Sequence, residues 1–140
     1  MKIFLDTNVL IYWVSDDSRA DQVEQLLAGE AGDANISVQV LNEFANVLRK
    51  KRNMPLADIA ELVDTLLQTC DVCDLTVRVH QAALELAARY KIGIYDANIL
   101  AAAGEAGCAL VYSEDMQHGM SIKLPKSLGG GSLSIKNPFL

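Results

Sequence analysis

Apolar and polar positions alternate in short blocks along the chain. The first block ends in Ile3-Phe4-Leu5, which predicts a buried strand over residues 2–5. Asp6, Thr7 and Asn8 interrupt it. Apolar side chains then resume at Val9, Leu10, Ile11, Tyr12 and Trp13, which predicts a short helix over residues 7–14. A second helix is expected over residues 18–28, with Ser18 as N-cap and Gly29 as stop. Residues 35–37 read as a very short strand. Val40, Leu41, Phe44, Val47 and Leu48 then share one face of a helix over residues 38–52. Pro55 suits the first turn of a helix running through Leu67. A strand over residues 72–75 follows, then a helix capped by Thr76 that carries Val79, Ala83, Leu86, Ala87 and Tyr90. Residues 97–105 form a small-residue helix around Ala101-Ala102-Ala103, suited to close packing on a sheet. Residues 109–112 read as a fourth strand and residues 133–135 as an edge strand. Gly129-Gly130-Gly131 reads as a turn between them.

Strands separated by helices predict an α/β fold with a mostly parallel central sheet of four to five strands. The 140 residues suit a single domain spanning 1–140, and no internal repeat is visible. The longest apolar candidate, residues 92–112, is broken by Asp96, Asn98 and Glu105, so no membrane span is expected. Asp6 falls where the core of a signal peptide would run unbroken. A soluble, cytoplasmic protein is the expectation.

Charge and cysteine usage narrow the chemistry. The net charge of −6 does not fit a protein held to nucleic acid by bulk charge. A polyanionic substrate would need a bound cation or the local basic run Arg49-Lys50-Lys51-Arg52. That run also has a plainer explanation, since bases favour the C-terminal end of a helix. Cys70, Cys73 and Cys108 are odd in number, against a disulfide framework. Cys70 and Cys73 have CxxC spacing, but no second pair completes a zinc site, and a partly buried connection is the favoured reading. His80 and His118 are read as surface or packing residues. Tyr12 and Trp13 are read as core residues, with a subunit contact as the alternative.

In open parallel sheets, sites lie beyond the carboxyl ends of the strands. Asp6 stands at that end of the first strand, and Ser113-Glu114-Asp115 at that end of the fourth. Asp96 opens the alanine-rich helix, and Glu43 lies early in the helix that follows Ser37. Each acid alone has an ordinary explanation. Asp6 can cap a helix, Asp96 suits a helix start, Asp115 suits a turn, and Glu43 can sit exposed on its helix. Together they converge on one rim with no matching lysine or arginine expected nearby. Clustered carboxylates need protons or a cation. An oxygen-only set suits Mg²⁺ or Mn²⁺, and such a site supports phosphodiester hydrolysis.

Four segments resemble, in chain order, the acidic motifs of PIN-domain ribonucleases: Phe4-Leu5-Asp6-Thr7-Asn8-Val9-Leu10, residues 37–44, Tyr95-Asp96-Ala97-Asn98-Ile99-Leu100-Ala101-Ala102, and Tyr112-Ser113-Glu114-Asp115-Met116. The chain is similar to the VapC toxins of bacterial toxin–antitoxin pairs along nearly its whole length, including Asn137-Pro138-Phe139. The resemblance implies a three-layer α/β/α domain, endoribonuclease activity with one or two Mg²⁺ or Mn²⁺ ions, a small antitoxin partner and a homodimer. It assigns Asp6, Glu43, Asp96 and Asp115 as catalytic, metal-binding acids, with Thr7, Asn8 and Ser113 as supporting groups. Arg49, Lys50, Lys51 and Arg52 are candidates for contact with the RNA backbone. Asn98 departs from the apolar residue expected at its position, and the glycine-rich stretch after Lys126 is irregular for the family.

Two rival functions remain. A haloacid-dehalogenase-type phosphatase also begins with a strand ending in Asp, but it wants a second Asp where this chain has Asn8. A non-catalytic binding module on the same fold is the other, and the presence of all four acids counts against it.

Overall fold

The structure is a computed structural model and describes residues 1–29 and 33–140. Strands and helices alternate as β1 (Ile3–Leu5), α1 (Thr7–Trp13), α2 (Arg19–Leu27), β2 (Ala34–Ser37), α3 (Val38–Arg52), α4 (Leu56–Thr69), β3 (Asp71–Cys73), α5 (Val77–Tyr90), α6 (Ile94–Glu105), β4 (Leu110–Tyr112), β5 (Ser121–Lys123) and β6 (Ser132–Lys136). The sheet order is β3-β2-β1-β4-β6-β5. All pairings are parallel except that of β5 with β6.

Local chemistry explains the helix boundaries. The Ser37 hydroxyl accepts from the Val40 amide at 3.3 Å and starts α3, which ends at Asn53 in the left-handed region. Thr76 caps α5 in the same way, through the Val79 amide at 3.2 Å, and Lys91 closes it with a φ of 53°. Helix α6 buries every residue from Ala97 to Gly104, so it lies inside the protein rather than across its surface. It packs against α5 and the sheet. Gly104 admits Leu124: a Cβ there would meet the Leu124 Cδ2 at 2.7 Å.

The crossovers set the layers. From β1 to β2 to β3 the chain steps in one direction, carrying α1–α4. The return from β3 to β4 carries α5 and α6. With right-handed crossovers the two helix groups cover opposite faces of the sheet, giving three α/β/α layers. The direction reverses between β1 and β4, and the crevice at a reversal of strand order is where such sheets bind ligands. Among the described residues, no helix is long and apolar enough to cross a membrane.

Among the described residues the sheet has six strands, slightly more than the expected four to five. Strand β5 holds a single buried residue, Ile122, between exposed Ser121 and Lys123, too little apolar pattern to declare itself. Strand β6 is therefore interior rather than an edge, with β5 outside it. The glycine stretch is a tight turn, with Gly129 and Gly130 at φ of 93° and 68° after a 3-10 turn at Lys126–Leu128. These two positions need glycine because L side chains rarely adopt that backbone. Helix α6 starts at Ile94, three residues before its expected start, with Gly93 as N-cap.

The cysteines are free, and burial pushes the thiols of Cys70 and Cys108 up to about 11 and 12. Such thiols stay protonated and unreactive, in keeping with a structural role. Tyr12 and Trp13 are half-buried against the core. Tyr12 meets Phe139 edge-on at 5.0 Å, and Trp13 stacks on Phe44 at 6.5 Å.

Candidate active site

A cleft of about 440 Å³ opens at the reversal point, and Asp6, Glu43, Asp96 and Asp115 all line it. Each reaches it from a different segment. Asp6 ends β1 and caps α1, its Oδ1 accepting from the Thr7 amide at 2.7 Å. Capping and cleft lining thus coexist in one carboxylate. Glu43 projects from α3, Asp96 stands in the first turn of α6, and Asp115 follows β4.

Asp6 is the buried member, at 5% exposure. The Ser113 hydroxyl donates to its Oδ2 at 2.9 Å, and the Asn8 amide nitrogen donates to the same oxygen at 3.1 Å. Asn8 in turn accepts from the Glu114 amide at 3.0 Å, tying the β1 end to the β4 end. Burial pushes the Asp6 carboxyl up to about 6; the Ser113 and Thr7 hydrogen bonds oppose that, and Glu43 and Asp96 add to it. Asp96 lies on the exposed rim, yet partial loss of water, then Asp115 and Glu43, raise its proton affinity too. The cleft therefore carries excess negative charge that its own hydrogen bonds do not fully offset.

Glu43 is held from two sides. The Thr7 hydroxyl donates to Oε2 at 3.1 Å, and the Gln39 amide donates to Oε1 at 2.9 Å. Gln39 also donates to the Tyr95 carbonyl at 3.2 Å, fixing α3 to the start of α6. The sequence reading gave Gln39 no role. Its signal was its place four residues before Glu43, one helical turn away on the same face. Glu114 was also passed over. It lines the cleft, accepts from the Tyr12 hydroxyl at 2.8 Å and pairs with Arg19 at 3.2 Å.

The basic run divides. Lys51 and Arg52 line the acidic cleft, with Arg52 bonded to the Val14 carbonyl at 2.9 Å. Arg49 faces a separate hollow beside Met54 and Pro55, and Lys50 is exposed away from the cleft lining. The cleft thus has cationic neighbours after all, contrary to the expectation of acids without matching bases. They come from the last turn of α3, eight and nine residues after Glu43, which adjacency along the chain does not reveal. His118 is an exposed surface residue, its Nδ1 accepting from the Asn137 amide at 3.0 Å.

The PIN domain family model matches residues 3–119. This chain belongs to the PIN-domain family. No curated protein matches it in sequence. Solved structures that share the PIN fold include VapC20 of Mycobacterium tuberculosis, a sarcin–ricin-loop cleaving toxin, with 24% identity, a TM-score of 0.66 and coverage of 81% of this chain and 90% of that one. VapBC-1 of nontypeable Haemophilus influenzae is 16% identical, with a TM-score of 0.67 over 100% of both chains. VapBC2 of Rickettsia felis, bound to a promoter DNA fragment, is 20% identical, with a TM-score of 0.64 over 98% of each. At these identities the likeness is one of fold.

The donors of this PIN-domain cleft are carboxylate oxygens, the set that suits a hard divalent cation. Its excess negative charge fits such an ion. Among the described residues, no three acid, histidine or cysteine side chains stand ready to grip an ion as they lie. Asp6 is buried and held by hydrogen bonds, while Asp96 and Asp115 are exposed on the rim.

Proposed function

We propose that this PIN-domain protein is an endoribonuclease dependent on Mg²⁺ or Mn²⁺, and the toxin of a toxin–antitoxin pair. The carrying observation is that four acids from four separate segments line one cleft, with Asp6 buried and its proton affinity raised. Asp6, Asp96 and Asp115 are assigned to one ion, and Glu43 to a second ion or to the attacking water. Such an ion lowers the pKa of a bound water and offsets charge growing on a phosphate.

The chain's own groups have separable tasks. Ser113, Asn8 and the Thr7 amide fix the direction of the Asp6 carboxylate. Thr7 and Gln39 fix Glu43. Lys51 and Arg52 offer cations to the phosphates flanking the scissile bond. In the reaction, the oxygen of water bonds to phosphorus in line and the bond to the 3′ oxygen breaks. The water gives up its proton and the 3′ oxygen takes one, leaving a 5′-phosphate and a 3′-hydroxyl.

The wider biology rests on the relatives. A structure from Klebsiella pneumoniae is a toxin–antitoxin complex, and one from Salmonella typhimurium is VapBC bound to DNA. On that basis we assign to this chain a small antitoxin partner; a homodimeric state follows the family resemblance, and a cytoplasmic setting follows the sequence pattern. The phosphatase alternative gains nothing here, because Asn8 is already committed to Asp6 and the Glu114 amide. Cleavage of single-stranded RNA with Mg²⁺, compared among wild type, Asp6→Asn and Asp96→Asn, tests the reading. Loss of cutting in both folded variants is the expected result. Equal cutting by all three proteins sinks the mechanism, and no cutting by any of them favours a non-catalytic module.

A further inference from the structure

Asn98 stands where the family resemblance leads one to expect an apolar residue. It is only 6% exposed, and its Oδ1 is buried without a hydrogen-bond partner among the described residues. A buried amide oxygen left unpaired is unfavourable, and native proteins seldom retain one without a use for it. Asn98 also lines a second cavity of about 440 Å³, whose lining residues are distinct from those of the acidic cleft. Its apolar walls come from Leu75, Val77 and Ile94, and Tyr95 stands beside them with 72% of its surface exposed. Among the described residues, no lysine, arginine, aspartate or glutamate lines it, and His80 and Thr76 complete its wall.

The cavity is coupled to the acids. Gln39 lines it, donates to Glu43 and donates to the Tyr95 carbonyl. Tyr95 is also the immediate neighbour of Asp96. A chain of nucleotides crossing the acidic cleft therefore passes close to this opening. A lining with one histidine, His80, and no fixed charge does not suit a phosphate or a charged peptide. It suits a flat heterocycle, with an aromatic face to stack on and an amide to read its edge.

We propose that this cavity receives one base of the RNA substrate, stacked on Tyr95 and read through an exocyclic amino group by the Asn98 amide. The terminal torsion of asparagine is soft, so the oxygen can turn toward the cavity without backbone movement. Adenine, cytosine and guanine carry an exocyclic amino group and uracil does not. The proposal rests on the nuclease reading and adds a base preference to it.

The test is binding of short, fluorescently labelled oligoadenylate, oligocytidylate and oligouridylate in EDTA, followed by anisotropy, with cutting of the same RNAs in Mg²⁺. Wild type is expected to bind the adenylate and cytidylate about tenfold more tightly than the uridylate. Asn98→Leu restores an apolar residue, and its fold is checked by thermal melting. It is expected to equalise the three affinities. Tyr95→Ala is expected to weaken binding to all three by about tenfold. Should Asn98→Leu keep the wild-type preference while RNA is still cut, the base pocket is wrong and the nuclease stands. If wild type neither binds nor cuts RNA, both readings fall. If Tyr95→Ala lowers the mass in sedimentation but leaves RNA affinity unchanged, the face is a subunit contact and the proposal is overturned.

Discussion

The Ser113 hydroxyl reaches across from the end of β4 to donate to Asp6, at the end of β1, at 2.9 Å. These residues lie 107 positions apart in the chain. Parallel pairing of Leu5 with Tyr112 brings their strand ends level, so each next residue emerges at the same height on the rim. The sheet register, rather than any local motif, therefore positions this contact. It also explains why a serine with no measurable exposure lies directly behind a carboxylate: the hydroxyl partly replaces the water that burial removes.

Replacing that hydroxyl has a defined consequence. Ser113→Ala removes a hydrogen bond that favours the charged form of Asp6, so its carboxyl should titrate above about 6. Carbon-13 NMR of the Asp6 carboxyl in the metal-free protein measures this directly. Cutting at neutral pH should fall by roughly tenfold, the usual effect of losing a partner behind a ligating carboxylate. An unchanged titration would remove Ser113 from the site.

The raised affinity of Asp6 for its proton also makes stability depend on pH. The folded carboxyl holds its proton up to about 6, whereas the ordinary value is 3.8. The folded state therefore binds more protons between these values, and this group's contribution is lost as pH rises through the window. It is fully present below 3.8 and costs about 3 kcal/mol by pH 7 at most. Asp17, which Arg19 holds down at about 2, runs the opposite way, so a simple acid titration mixes the two. The difference between wild type and Asp6→Asn isolates Asp6. In urea unfolding without divalent ions, Asp6→Asn should be the more stable protein at pH 7, and that advantage should vanish near pH 4. Added Mg²⁺ should narrow the gap at pH 7 by stabilising only the wild type.

Asp6, Asp96 and Asp115 were legible because each sits at a position with its own local signature, a strand end, a helix start or a turn, whereas Glu43, in the second turn of α3, stood out mainly through the family resemblance. Alternation of strands and helices implied a mostly parallel sheet with its site beyond the carboxyl strand ends; the strand order that places β1 beside β4 comes from the structure. What stayed hidden depended on rotation around helices and on weak pattern. Gln39 and Glu43 share a helix face only once α3 has formed, and Lys51 and Arg52 reach the cleft two turns further along. Strand β5 contributes one buried side chain and is held mainly by backbone pairing to β6, to which hydrophobic spacing is blind. Asn98 looked like a mere departure from pattern. Its burial and unpaired oxygen emerge only when α6 is packed.

The division of the basic run gives a sharp contrast between neighbours. Lys51 lines the cleft and Lys50 does not. Lys51→Ala should raise KM several-fold with little change in kcat, and should reduce the slope of log affinity against log salt by about one. Lys50→Ala should resemble wild type in both measurements. Equal effects from the two would mean that only diffuse charge near the end of α3 matters.

Gly104 tests how the central helix is seated. Alanine is the better helix former by roughly 0.5–1 kcal/mol, which alone predicts a gain. A Cβ here, however, would stand 2.7 Å from the Leu124 Cδ2 and 3.0 Å from its Cδ1. Leu124 is itself buried, so it has little room to swing aside, and overpacking of this kind costs about 1–3 kcal/mol. The second effect is the larger, and Gly104→Ala should lower stability in urea unfolding by about 1 kcal/mol. Leu124→Ala removes both offending methyl groups. In that background Gly104→Ala should become stabilising, because only the helix preference is left to act. A penalty that persists there would place the strain in the backbone of α6 rather than against Leu124.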